Sequence, residues 1–187
     1  MGQLIYLIGA SGSGKDSVMN IVKNRLQGEC QIAFAHRYIT RPSELGGENY
    51  ISLSSSEFEI RRKNGLFAMN WDSHGYSYGI GTEINLWMEK GFLVIVNGSR
   101  EYLPVASKLY ENMLVCLIQV SRENLYDRLV NRGRETAEEI AERLERADSF
   151  PVEHPNLKII SNDSSLDFSA NQMLSFINEH YGQTLIS

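Results

Sequence analysis

With 187 residues, 42% of them hydrophobic and 22% charged, the chain can bury a substantial core and is too apolar to be disordered, collagenous or a coiled coil. A net charge of −5 argues against a general nucleic-acid binder, although a locally basic site for a small anion stays open. The longest apolar runs, Phe92 to Val96 and Met113 to Ile118, are far too short to cross a bilayer, so no membrane partner is expected.

The first residues carry no basic leader ahead of their apolar run, and Tyr6 stands where a myristoylation start wants Ser or Thr. Cys30 and Cys116 lie in apolar surroundings without CxxC spacing, which suits buried free thiols and a cytoplasmic location.

Gln3 to Ile8 reads as a buried strand. It runs into Gly9-Ala10-Ser11-Gly12-Ser13-Gly14-Lys15, after which Val18, Met19, Ile21, Val22 and Leu26 recur at helical spacing. Strand, glycine-rich turn, Lys and helix form the context of a phosphate-binding loop. Glycines let the backbone turn so that several N–H groups face one phosphate, and the helix N-terminus adds partial positive charge. Lys15 would reach the β- and γ-phosphates and neutralise charge during transfer. The motif wants Ser or Thr after the Lys, but here Asp16 is followed by Ser17. A bare carboxylate about 4 Å from a phosphate would cost roughly 4 kcal/mol at an effective dielectric near 20, unless Mg²⁺ lies between them. Two readings stand open for Asp16: a ligand of Mg²⁺, or a first-turn acid stabilised by the helix dipole.

A strand is predicted over Gln31 to Ala35, followed by a polar loop from His36 to Tyr50. Ser54-Ser55-Ser56 caps a helix through about Lys63. Short strands follow at Leu66 to Asn70 and Tyr76 to Ile80, then a helix from Thr82 to Gly91. Phe92 to Val96 is uniformly apolar and so a strand buried on both faces. A helix over Glu101 to Tyr110, a strand over Leu114 to Val120 and a helix over Arg122 to Asn131 come next. Thr136 and Glu139 form a capping box, Leu157 to Ile160 is a last strand, and an amphipathic helix from Leu166 to Tyr181 closes the chain.

Alternating strands and helices predict an α/β fold: a three-layer sandwich with a mostly parallel sheet, forming one domain. Residues 36–91 break that rhythm and read as an insertion in a core of 1–35 and 92–187, at the strand ends where ligands bind in such folds.

Twelve of the eighteen basic residues are Arg, the side chain suited to bidentate phosphate recognition. Arg37 and Arg41 fall in the insertion, beside Gly46-Gly47-Glu48-Asn49-Tyr50. Arg122 to Arg146 holds six arginines and seven acids, and Glu139/Arg143 and Glu142/Arg146 read as i,i+4 surface pairs. Gly133 interrupts the helices there, so Arg132 and Arg134, and less so Arg128, suit a lid over bound phosphates at about 128–137. The four histidines show no metal-ligand spacing.

Gly9 to Lys15, Tyr38-Ile-Thr-Arg-Pro42, Gly47-Glu-Asn-Tyr50, Tyr78-Gly79 and the Arg-rich lid together resemble the guanylate kinase superfamily over nearly the full length. Within it, the Asp16-containing loop, Ala35 to Arg41, Tyr78 to Gly81, Glu83 to Trp87 and Val96 to Arg100 resemble the ribose 1,5-bisphosphate phosphokinase family of phosphonate use. The resemblance implies a P-loop kinase fold with an acceptor-binding insertion, and ATP with Mg²⁺. Asp after the loop Lys is usual in that family. Guanylate kinases pair guanine with a Ser and a Glu and place an Asp after the buried strand; the matching positions here carry Arg37, Met69 and Asn97. A Met in place of an acceptor leaves base N–H groups unpaired, at about 1–3 kcal/mol each, and the added Arg suits a second phosphate.

The resemblance thus implies ATP-dependent phosphorylation of a bisphosphorylated sugar, with Lys15, Arg132 and Arg134 acting on the transferred group. Arg37, Arg41, Tyr50, Tyr78 and Arg100 are the candidates for the acceptor phosphates, with plain packing a rival role for the tyrosines. Asn162 and Asp163 fall where the superfamily holds adenine. A nucleoside-monophosphate kinase and a non-catalytic interaction module are the alternatives, the second opposed by the retained Lys15 and lid arginines. A kinase with a hydroxyl acceptor would need a carboxylate base, for which Asp72 and Glu48 are the candidates.

Overall fold

The computed structural model describes residues 2–26, 31–42, 50–133 and 135–181. In chain order the first elements are β1 (Gln3–Gly9), α1 (Lys15–Arg25), β2 (Ile32–Phe34), β3 (Arg37–Ile39), β4 (Tyr50–Ser52), α2 (Ser55–Lys63), β5 (Phe67–Ser73) and β6 (Tyr76–Gly81). They are followed by α3 (Glu83–Glu89), β7 (Leu93–Asn97), α4 (Leu103–Leu109), β8 (Leu114–Gln119), α5 (Arg122–Arg132), α6 (Ala137–Asp148), β9 (Leu157–Ser161) and α7 (Leu166–Tyr181).

One sheet has the strand order β2-β7-β1-β8-β9. In it β2 pairs parallel with β7 and β8 with β9, with Ile32 opposite Leu93 and Val115 opposite Leu157. Leu4 to Ile8 and Leu93 to Val96 are buried throughout, which is why both runs read as unbroken apolar segments. The second sheet has the order β4-β3-β6-β5.

Compactness does not divide the chain at residues 36 and 91. One unit gathers 1–6, 31–97 and 104–113, and the other gathers 7–30, 98–103 and 114–187, so β1 contributes to both.

In the first unit, β5 and β6 form a hairpin closed by His74 and Gly75, both at positive φ (51° and 75°), the backbone that a two-residue turn of matching twist needs. Phe58 and Phe67 meet at 4.6 Å between ring centroids, with Leu53 and Tyr38 around them. Gly79 admits the Phe67 ring, whose nearest atom would lie 2.6 Å from a Cβ there. The expected loop from His36 to Tyr50 is partly wrong. Arg37–Ile39 pairs antiparallel with β6 and Tyr50–Ser52 pairs parallel with β3, while 43–49, including Gly46 to Asn49, lie outside the described residues. Three-residue strands rich in polar side chains carry no periodic signal; the ladder that forms them comes from distant sequence.

In the second unit, Leu125 and Leu129 of α5 pack on Ile140 and Leu144 of α6. Gly133, at φ 59°, ends α5 in a left-handed cap, and the Thr136/Glu139 capping box starts α6 as the sequence predicts. Arg25 at the end of α1 reaches Asp167 (2.6 Å) and Asn171 (2.7 Å) of α7.

Cys116 sits in β8, fully buried, and desolvation pushes its thiol up to about 12; Cys30 lies outside the described residues. In a Cys30→Ser variant, the folded protein should resist a thiol-specific disulfide reagent near pH 8 and label stoichiometrically only after unfolding. Rapid labelling of the folded chain would contradict this burial.

Candidate functional site

The glycine turn is built within the second unit. Gly12 and Gly14 hold positive φ (96° and 83°). A Cβ on Gly12 would lie 2.9 Å from Leu125, and one on Gly14 would run into the Asn162 amide, so both positions demand the missing side chain. Ser13 is wholly buried, and its N–H donates to the Ala10 carbonyl (3.0 Å). The Ser13 carbonyl accepts from Asn162 Nδ2 (2.7 Å) and from Arg128 Nη1 (3.1 Å). The other arm of Arg128 donates to the Asn162 carbonyl, and Asn162 Oδ1 accepts from Ser169 Oγ (2.9 Å). Two side chains from other elements therefore fix the middle of the turn.

Gly14 is the N-cap of α1 and offers no side chain to its first-turn N–H groups. That cradle suits an anion, which can take the place of the missing cap. Lys15 Nζ stands 3.0 Å from Asp16 Oδ1, and about half of the Asp16 side chain is exposed. An accessible carboxylate beside the loop lysine is a hard oxygen donor of the kind Mg²⁺ prefers. Ser13 Oγ is buried without a hydrogen-bond partner among the described residues.

The arginines expected in a lid divide. Arg132 stands exposed in the last turn of α5, and Arg134 lies outside the described residues. Arg128 grips the turn itself. Arg143, read from sequence as a partner of Glu139, instead reaches Ser11 Oγ (3.3 Å) and Glu135 (3.2 Å). Glu139 is occupied by the capping box, accepting from the Thr136 N–H (2.8 Å), and Arg146 pairs with Glu101 rather than Glu142. Arg143 is a residue that sequence reasoning missed; its place one turn from Ile140, on the flank of the buried face, was the available signal.

Asn162 faces inward, whereas Asp163 is exposed. Asn162 is fully buried on the Ser13 carbonyl. Asp163 Oδ1 accepts from the Asn124 amide (2.8 Å) and the Ser121 N–H (2.7 Å), and these bonds hold its carboxyl below the usual carboxylate range. Arg100, expected at the acceptor, donates to the carbonyls of Ala147 (2.7 Å) and Arg146 (3.3 Å) and lies over Phe150.

The first unit gathers the remaining acceptor candidates. Arg37 lies 5.2 Å over the Tyr78 ring, which stacks on Trp71 at 5.6 Å and 3°. Arg41 lies 4.5 Å over Tyr50 and donates from Nε to its hydroxyl (3.3 Å), while that hydroxyl donates to the Pro42 carbonyl (2.7 Å). The tyrosine rings thus serve as platforms for guanidiniums, a packing role. Met69 is fully buried in β5. Asp72 accepts from Ser77 (2.6 Å) and Arg62 (2.8 Å), bonds that pull its carboxyl below the usual range and make it a poor general base. Glu48 lies outside the described residues.

The guanylate kinase family pattern matches residues 1–180, and the chain belongs to that family. A solved guanylate kinase from Anaplasma phagocytophilum shares the fold, with a TM-score of 0.71 at 16% identity over 98% of this chain and 88% of that one. Within the family, the chain is 49% identical to the ribose 1,5-bisphosphate phosphokinase PhnN of Thiobacillus denitrificans, over 95% of this chain and 94% of the relative. It is 51% identical to the protein of the same name from Desulfomicrobium baculatum, over 89% of both chains, and 44% identical to that of Yersinia pestis.

The depressed Asp163 carboxyl stabilises the fold above its unfolded pKa, near 3.9, and that stabilisation fades as pH falls through the folded value. Asp163→Asn should therefore melt earlier than the parent near pH 7, with the gap closing as pH falls through the folded value. A gap that does not change with pH would refute the ionic contribution.

Proposed function

We propose that the chain transfers the γ-phosphoryl group of ATP to the 1-phosphate of ribose 1,5-bisphosphate, giving 5-phosphoribosyl 1-diphosphate and ADP, in the setting of phosphonate use. The observation that carries this reading is the makeup of the acceptor residues. Two guanidiniums braced on tyrosine rings, Arg37 on Tyr78 and Arg41 on Tyr50, accompany a buried Met69 in the place of a base-pairing acid. Phosphates are what such guanidiniums recognise, and a thioether offers a purine N–H no adequate acceptor. The relatives that bear the phosphokinase name support the same acceptor.

In this reading, the N–H groups of residues 9–15 cradle the donor phosphates, and Lys15 neutralises charge as it spreads over the γ-oxygens. Asp16 would hold Mg²⁺, which when bound shields the phosphate oxygens from one another. Arg143, at Ser11, and Arg132 and Arg134 of the lid add positive charge and exclude water. An oxygen of the acceptor's 1-phosphate bonds to the γ-phosphorus while the bond to the β,γ-bridging oxygen breaks, and ADP leaves with that electron pair. A phosphate with a second pKa near 6 is already largely deprotonated at neutral pH, so no general base is needed. Positioning and charge neutralisation supply the catalysis.

With ATP and Mg²⁺, purified protein should release ADP on addition of ribose 1,5-bisphosphate and at least about 100-fold more slowly with GMP. Lys15→Ala should lower kcat by about 100-fold or more. Faster turnover of GMP would make this a nucleoside-monophosphate kinase, and failure to bind ATP at all would make it a non-catalytic module.

A further inference from the structure

The C-terminal end of α6 is held by several charged contacts. Successive carbonyls, Arg146 and Ala147, receive the two arms of Arg100. Arg146 itself pairs with Glu101, and Asp148 pairs with Arg122 at the start of α5. The Arg100 guanidinium is half-buried over Phe150, and burial lowers its pKa, although an Arg stays charged under these conditions. A planar cation set against the last carbonyls of a helix complements both their unsatisfied acceptors and the negative end of the dipole. Lys could not reproduce the fork across two neighbouring carbonyls.

Arg143 stands one turn before this dock, three and four residues from the two carbonyls, and touches Ser11 of the phosphate loop. At 1.5 Å of rise per residue, a slip of α6 by one position or a comparable rotation would remove that contact. We propose that Arg100 is a positioning residue: by docking the end of α6 it keeps Arg143 on the phosphate loop, and it does not bind the acceptor. This inference rests on the kinase reading above for its rate measurements but not for its binding measurements.

Two readouts test it on the full chain. In steady-state kinetics, Arg100→Lys should lower kcat about tenfold and leave the KM for ribose 1,5-bisphosphate within about twofold. In calorimetric titration with MgATP alone, Arg100→Lys should weaken binding several-fold in the parent background and add nothing to Arg143→Ala, because both act through one contact. Phe150→Leu, which removes the ring beneath the guanidinium and no polar group, should show the same dependence on Arg143 with a smaller loss, and carries the test if Arg100→Lys does not fold. A tenfold rise in acceptor KM at unchanged kcat would make Arg100 an acceptor ligand and overturn the proposal, as would losses of MgATP binding that add fully to those of Arg143→Ala. If the parent fails to phosphorylate the bisphosphate, the acceptor reading falls, while the MgATP coupling still decides the role of Arg100.

Discussion

The carbonyl oxygen of Ser13 is the point on which the donor half of this protein depends. A turn with two glycines at positive φ loses more conformational entropy on ordering than any other backbone, so it stays open only if something outside it holds it. Here Asn162 and Arg128 both donate to that one oxygen, and Ser169 fixes the Asn162 amide from behind. The end of β9, the middle of α5 and the first turns of α7 thereby converge on the loop. A hydrogen bond from a charged donor contributes about 1.5–3 kcal/mol, and losing a buried partner costs a similar amount, so the clamp is strong on the scale of a loop.

A related economy governs the guanidiniums. A free arginine surrenders roughly 2 kcal/mol of rotamer entropy when it grips a phosphate. Arg37 and Arg41 lie on aromatic faces, and Arg128 and Arg143 already touch the phosphate loop. Side chains ordered before the ligand arrives give up less when it binds. In the proposed reading, the acceptor residues differ from those that would serve a base chiefly by chemistry: a buried Met69 in place of a carboxylate for guanine, and a cation at position 37 in place of a hydroxyl.

The phosphate loop and the start of α1 were legible in the sequence because glycine, lysine and a helical repeat at fixed spacing have few other uses. The buried strand at 93–97 and the Thr136 capping box were legible for equally local reasons. What the sequence hid are partner choices between distant residues. Arg143 has an acid four residues away, yet its partners are Glu135 and a loop serine; Arg128, Asn162 and Arg100 donate to backbone carbonyls, which leave no trace in side-chain pattern. β3 and β4 escaped notice because three-residue strands take their identity from the ladder they join.

The most direct measurement compares MgATP with magnesium tripolyphosphate, titrated calorimetrically into the parent and into Asn162→Ala, with circular dichroism establishing that the variant is folded. If Asn162 serves the phosphate loop, both ligands should lose affinity by the same factor, about tenfold, or 1.4 kcal/mol. Unchanged tripolyphosphate binding alongside weakened ATP binding would instead place the amide at the base and contradict the clamp.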